Sequence, residues 1–236
     1  MEGNAAVIHT HRQRNYYSYI TCMKRKSENV KTGDMAQVST VVQDRSPAKA
    51  IKDKIDKIVC GTCPFQEGGM CYVNPVTEIL GWEATKDLDK VDPPQHKKGV
   101  RFGKYGDPAL IPISIIQKTI DAGSGDWVGY THQWMTISRS YARYFMASID
   151  HLMAKQVGMT VLQLKELAQS FGYRTYRVLL PGEKNQKDEI SCPYPKVQCK
   201  DCLLCAGTTP SKGLKNITQP VHGSPNAIKM YKEKAK

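Results

Sequence analysis

Between residues 35 and 221, short β-branched or aromatic runs alternate with stretches of helical periodicity. That alternation restricts the fold more than any other feature of the chain. Residues 35–42 (Met-Ala-Gln-Val-Ser-Thr-Val-Val) read as a first strand. Ser46-Pro47 opens a helix over 48–58, and Asn74-Pro75 opens another over 76–89, because proline suits the first helical position. A strand over 99–105 ends at Gly106-Asp107-Pro108 and is followed by a helix over 112–122. The next strand covers 127–132. Residues 144–150 read as a strand, or with their neighbours as one helix over 141–156. Residues 161–171 set Val161, Leu164, Leu167, Ala168 and Phe171 on one helical face, with Gly172 as the natural stop. Strands follow over 173–180, 189–191 and 216–221. Strand–helix repetition implies an α/β fold, with a mostly parallel sheet or an incomplete βα barrel. In such folds ligands bind at the carboxyl ends of the strands. Those ends carry Asp107, His132, Asp150, Arg177, Cys192 and His222.

The length of 236 residues accommodates a sizeable core, expected here as a single α/β metal-binding domain over 34–223. No apolar run approaches the ~20 residues of a membrane span. The basic, aromatic N-terminus does not resemble a signal peptide. The expectation is a cytoplasmic protein with no membrane partner. The net charge is +12, and most of it sits at the ends. Residues 1–31 hold six lysines and arginines against two glutamates, and 211–236 hold six lysines against one glutamate. Residues 1–33 therefore read as a basic, aromatic N-terminal extension, extended or loosely ordered, and 224–236 as a basic C-terminal tail. In the first, Tyr16, Tyr17 and Tyr19 are interleaved with Arg12, Arg14 and Lys24-Arg25-Lys26. Tyrosines that stack on bases beside cations that neutralise phosphates suit a nucleic acid or nucleotide partner. A solvated tail, or a surface for an acidic protein, has the same composition.

Seven of the eight cysteines fall in two short runs. Cys192, Cys199, Cys202 and Cys205 occupy fourteen residues, the last three spaced CxxCxxC. Cys60, Cys63 and Cys71 form a second set, CxxC followed by a cysteine eight residues on. In a reducing compartment such clusters point to metal ligation before disulfides. CxxCxxC is the spacing with which ferredoxins grip a [4Fe-4S] cluster. Zinc remains the alternative, with His222 replacing Cys192 in a three-sulfur, one-imidazole set. The three-thiolate set leaves one coordination position open, unless Cys22 closes it.

Gly103-Lys-Tyr-Gly106-Asp107-Pro108 is a glycine-rich strand end with a carboxylate. No Lys-Ser/Thr pair follows, which excludes a Walker site. Gly103, Gly106 and Asp107 are candidates for contacting the polar end of a small cofactor, and an ordinary turn explains the same residues. His132, in Tyr-Thr-His-Gln-Trp, is a candidate general base or a core histidine. Asp107 and Asp150 are its candidate acid–base partners. Neither a GxSxG nor an HExxH motif occurs.

These motifs together resemble a family of uncharacterised, cysteine-rich proteins encoded by bacteriophages and plasmids. The resemblance rests on Lys31-Thr-Gly33, Cys60-x-x-Cys63-Pro64, Gly69-x-Cys71-Tyr72, Arg101-Phe-Gly-x-Tyr-Gly-Asp-Pro108, Gly129-Tyr-Thr-His-Gln-Trp134, Met146-Ala-Ser-Ile-Asp150, Tyr173-Arg-Thr-Tyr-Arg-Val178, Cys192-Pro193, Cys199-x-x-Cys-x-x-Cys205 and Val221-His-Gly223. It covers roughly residues 27–223 and implies a phage or mobile-element origin. The order of motifs is also similar, more loosely, to radical S-adenosylmethionine enzymes. Those partial βα barrels carry a three-cysteine cluster loop after their first strand and a Gly-Gly-Glu-Pro motif after the second. Cys60, Cys63 and Cys71 stand in the first place here, and Tyr105-Gly106-Asp107-Pro108 in the second. The resemblance implies S-adenosylmethionine as cofactor, with an auxiliary centre held by Cys192–Cys205. The loop departs from the usual CxxxCxxC. A third similarity, to tRNA-guanine transglycosylase-like barrels, rests on Cys199, Cys202, Cys205 and His222 as a zinc set. Three expectations follow: an iron–sulfur enzyme acting on a nucleotide or nucleic acid; a metal-stabilised binding module without catalysis; and a zinc-dependent base-modifying enzyme.

Overall fold

The computed structural model describes residues 3–27, 29–71, 73–208 and 215–236. The N-terminal segment is a β-hairpin. β1 (Ala5–His11) and β2 (Tyr16–Thr21) pair antiparallel, with a register shift between Val7 and His9. A 3-10 turn over Arg12–Arg14 closes the hairpin, and Asn15 takes the left-handed conformation that asparagine tolerates. β2 then pairs antiparallel with β3 (Ala36–Val42), all seven residues of which are buried.

Of the two conformations expected over 1–33, extended or loosely ordered, the strands Ala5–His11 and Tyr16–Thr21 take the extended one. Tyr16, Tyr17 and Tyr19 are core residues, none more than 3% exposed. Their hydroxyls are engaged inside the fold, with Leu110 O for Tyr16, Thr85 Oγ1 for Tyr17 and Glu78 Oε2 for Tyr19. They offer no stacking platform to a base. The cations Arg12, Arg14 and Lys24–Lys26 of the segment are exposed.

After β3 the chain runs through α1 (Pro47–Lys52), α2 (Lys57–Cys60) and α3 (Pro75–Glu83). Ser46 and Asn74 cap α1 and α3 as their Ser-Pro and Asn-Pro sequences imply, accepting from Lys49 N and Val76 N. The single helix expected over 48–58 is broken where Lys54 turns left-handed, at φ 58°. β4 (Val100–Phe102) pairs parallel with β3, and α4 (Ile113–Asp121) leads to β5 (Trp127–Val128), parallel to β4. The first sheet has the order β1-β2-β3-β4-β5. Its core joins Val7, Tyr17, Val41, Ala50, Val59 and Tyr105.

The strand expected over 127–132 divides after Gly129. β6 (Tyr130–Thr131) belongs to a second sheet, with β7 (Met146–Ile149), β8 (Thr175–Leu179), β9 (Glu189–Ser191) and β10 (Asn216–Pro220). This sheet is wholly parallel and has the order β6-β7-β8-β10-β9. The ambiguous stretch 141–156 resolves into the end of a 3-10 turn, β7 and then α5 (His151–Val157). α6 (Val161–Ser170) carries a reciprocal Thr160–Gln163 capping box. Its buried Val161, Leu164 and Ala168 pack with Trp134, Ala147 and Ile149. The four-residue α7 is Cys199–Cys202. The last element, α8 (Pro225–Lys234), is formed by the basic tail of 224–236.

The protein is thus mixed α/β, with one mixed sheet and one parallel sheet. The chain forms two compact units. One comprises Met1–Gly61, Val73–Gly129 and Tyr194–Leu203; the other comprises Thr62–Tyr72, Tyr130–Pro193 and Leu204–Lys236. Five passages join them, at 61/62, 72/73, 129/130, 193/194 and 203/204. Among the described residues, no helix is long and apolar enough to cross a membrane.

Candidate acid–base site

The second unit brings the polar strand ends of its parallel sheet together. β6 ends at Thr131 and delivers His132; β7 ends at Ile149 and delivers Asp150. The turn after β6 is fixed by Trp134, whose Nε1 donates to Ser148 O on β7 at 3.1 Å, and by Gln133 N, which donates to Thr131 Oγ1. The result sets His132 Nε2 3.8 Å from Asp150 Oδ2. That gap exceeds hydrogen-bond length.

Asp150 is fully buried. Its Oδ1 caps α5 by accepting from Met153 N at 2.9 Å, while its Oδ2 is buried with no hydrogen-bond partner. Burial raises its carboxyl to about 6, against the smaller opposing effects of the Met153 and Leu152 N–H groups and His151. The same loss of solvent lowers His132 to about 4, so its imidazole is neutral at pH 7. A carboxyl that titrates near neutrality beside a neutral imidazole is an arrangement suited to proton transfer.

Two aromatic rings adjoin the pair. Phe65 meets His132 edge-on, with ring centroids 5.8 Å apart, and stacks on Tyr231 at 5.4 Å and 6°. Tyr231 Oη accepts from His151 N at 3.1 Å. A second imidazole–carboxylate contact lies next in sequence, His151 Nε2 to Glu183 Oε2 at 3.0 Å. Glu183 is held in turn by Leu180 N at 2.7 Å.

Arg177 has a structural role. It grips Glu189 with Nε and Nη2, at 2.9 and 2.7 Å, and so ties β8 to β9 across the intervening β10. Lys165 joins Glu189 at 3.2 Å and Asp188 at 2.5 Å. Burial by itself would raise Asp188. Hydrogen bonds from Lys165, Gln169 and Asn216 outweigh it and hold the carboxyl at about 2.

The glycine-rich segment of the first unit builds a turn. Gly103 and Gly106 both have positive φ, 72° and 68°. A Cβ at Gly106 would lie 2.4 Å from Thr40 O, so the close approach to β3 requires glycine. Asp107 Oδ1 accepts from Ala109 N and caps the 3-10 turn Pro108–Leu110. These contacts fix the Gly-Asp-Pro sequence as a turn.

The cysteines are shared between the units. Cys60, Cys199 and Cys202 belong to the first; Cys63, Cys71, Cys192 and Cys205 belong to the second. Cys199 and Cys202 lie one turn apart on α7, which Cys199 N anchors to Lys31 O. Cys192 and Cys205 both pack against the cluster of Met146, Tyr176 and Ile217. His222 is exposed, with Nδ1 3.2 Å from Pro220 O. Among the described residues, no group of three or more His, Cys, Asp or Glu side chains is placed to hold a metal ion.

No family model, curated protein or solved structure matches this chain.

Sequence reasoning found His132 and Asp150 through their strand-end positions but missed Phe65 and Tyr231. The signal for Tyr231 was present. Ser224-Pro225 is a helix start, and Ala227 and Tyr231 fall on one face of the helix that follows. The lysines of the tail masked it.

Proposed function

We propose that the protein is an enzyme whose proton-transfer chemistry is carried by Asp150 and His132. One observation supports this reading above the rest. A completely buried carboxyl has an oxygen without a hydrogen-bond partner, directed at a neutral imidazole, at the carboxyl edge of a parallel sheet. Leaving such an atom unsatisfied costs roughly 1–3 kcal/mol. Strain of that kind concentrates at functional sites. Asp150 is the acid–base group, and His132 is its neutral partner, able to accept a proton or to orient a substrate hydroxyl or amine. The exposed cations at Arg12, Arg14, Lys24–Lys26 and along α8 support a nucleotide or nucleic acid as substrate.

The test is turnover of a nucleotide and oligonucleotide panel followed by mass spectrometry. Asp150→Asn and His132→Gln should each lower the rate about 100-fold or more. Unchanged turnover in both variants would sink the assignment, and a panel left intact by wild type would sink the substrate class.

A second reading, the radical S-adenosylmethionine-like iron–sulfur enzyme, draws support from strand order. β3, β4 and β5 are adjacent, parallel and consecutive in sequence. The three-cysteine segment follows the first and the Gly-Asp-Pro turn follows the second, as in the partial barrels that the motifs resemble. In that reading Cys60, Cys63 and Cys71 hold the reactive cluster, and Gly103, Gly106 and Asp107 serve the cofactor.

A further inference from the structure

The facing atoms of the pair, Asp150 Oδ2 and His132 Nε2, are both buried. Asp150 has no exposed surface, and the His132 side chain retains 12%. No substrate group can reach Asp150 Oδ2 in this conformation. Neighbouring rings run in series from His132 to Phe65 to Tyr231, and Tyr231 is carried by α8. The hydroxyl of Tyr231 also accepts the amide of His151, the residue that follows Asp150.

α8 is the last element of the chain, and it adds no strand to the sheet. Tyr231 is its deepest anchor, 1% exposed, in a cluster with Met70, Leu152 and Val178. Towards its end a hydrogen bond from Lys155 Nζ to Lys234 O at 3.2 Å adds a polar tie. The opposite side is solvated, with Asn226, Lys229 and Glu233 exposed. Ahead of the helix, Gly223 sits at φ 138°, a conformation open to glycine and strained for other residues. Ala227 is buried as well, and Met230 and Ala235 pack on the same cluster, so the helix is held by a small apolar face around one aromatic ring, and a helix so held and entered through a glycine can open locally.

We infer that α8 is a strap over the acid–base site, held shut by Tyr231 on Phe65, and that substrate enters when α8 lifts about Gly223. This inference rests on the reading of Asp150 and His132 as the reacting pair. Its geometric content, that α8 controls access to His132, can be tested independently of that reading.

The test uses the full-length chain. Diethyl pyrocarbonate acylates neutral imidazole, and peptide mass spectrometry reads the rate at each histidine. His222, exposed in the same unit, is the reference. Amide hydrogen exchange across 225–234 reports opening of α8. In wild type His132 should react far more slowly than His222. In Tyr231→Ala both its acylation and the exchange of α8 should accelerate about 100-fold, since the ring is the anchor. Tyr231→Phe keeps the stack and loses the hydroxyl, so about 5-fold is expected in both. Should Tyr231→Ala fail to fold, Tyr231→Phe carries the test. The strap is overturned if wild-type His132 reacts as fast as His222, or if exchange of α8 accelerates while His132 does not. Full turnover in Asp150→Asn together with the expected labelling would remove the catalytic reading and leave the strap standing.

Discussion

At Asp150 and His132 one physical cause acts on two groups with opposite signs. The folded carboxyl titrates at about 6 against an ordinary 3.8, so the folded chain holds that proton more tightly than the unfolded chain. Stability from Asp150 therefore falls as pH rises from about 4 to 6, by about 3 kcal/mol in all. His132 titrates at about 4 against 6.5, so the unfolded chain binds its proton more tightly. Stability from His132 rises with pH across nearly the same interval, again by about 3 kcal/mol. In wild type the two slopes nearly cancel. Single substitutions should uncover them. Asp150→Asn keeps the cap on α5 and leaves the rising slope; His132→Gln leaves the falling one. Denaturant titrations at pH 4.5 and 7 measure both, and variants with parallel slopes would refute the assignment. Asp150→Asn should also be more stable than wild type at pH 7 by up to about 3 kcal/mol, while losing its chemistry.

Among the elements, α3 offers the most direct test of packing against electrostatics. It buries Glu78 completely beneath the first sheet's strands. The carboxylate accepts from Tyr19 Oη at 3.1 Å and Ser39 Oγ at 2.8 Å, and it pairs with Lys104 Nζ at 2.8 Å. Lys104→Met would strand the charge, at a cost of about 3 kcal/mol. Tyr19→Phe removes one neutral donor and should cost about 1 kcal/mol. Lys104→Met combined with Glu78→Gln should recover most of the first loss, because the charge is gone. Chemical denaturation of the three variants gives the order; equal losses for Lys104→Met and the double variant would show that charge is not what matters there. This cluster also shows where sequence reading stops. Ser-Pro and Asn-Pro starts, the Thr160–Gln163 box and the β-branched runs are local signals, and the elements they imply are present. Which strand a run pairs with depends on partners distant in sequence. Tyr19 reads as a nucleic-acid aromatic beside Arg12 and Arg14 until Glu78, 59 residues away, is seen to accept its hydroxyl. For the same reason His132 and Asp150 were legible as strand ends, and Tyr231, 80 residues beyond His151, was not.

At the scale of the whole molecule, the cysteines decide between the two functional readings. Metal and acid-labile sulfide analysis of anaerobically purified protein, with a visible spectrum, separates them. About four irons and matching sulfides per cluster would favour the iron–sulfur reading. Zinc without sulfide would favour a structural centre, and protein without either would leave the acid–base pair alone. The same cysteines mark the path of the backbone. Cys60 and Cys63 flank the passage at 61/62, Cys71 precedes the one at 72/73, Cys192 the one at 193/194, and Cys202 and Cys205 flank the one at 203/204. A chain that passes five times between its units has no contiguous stretch that encodes either. A cut at 129/130 would leave each product without one segment of its own unit and holding one segment of the other's.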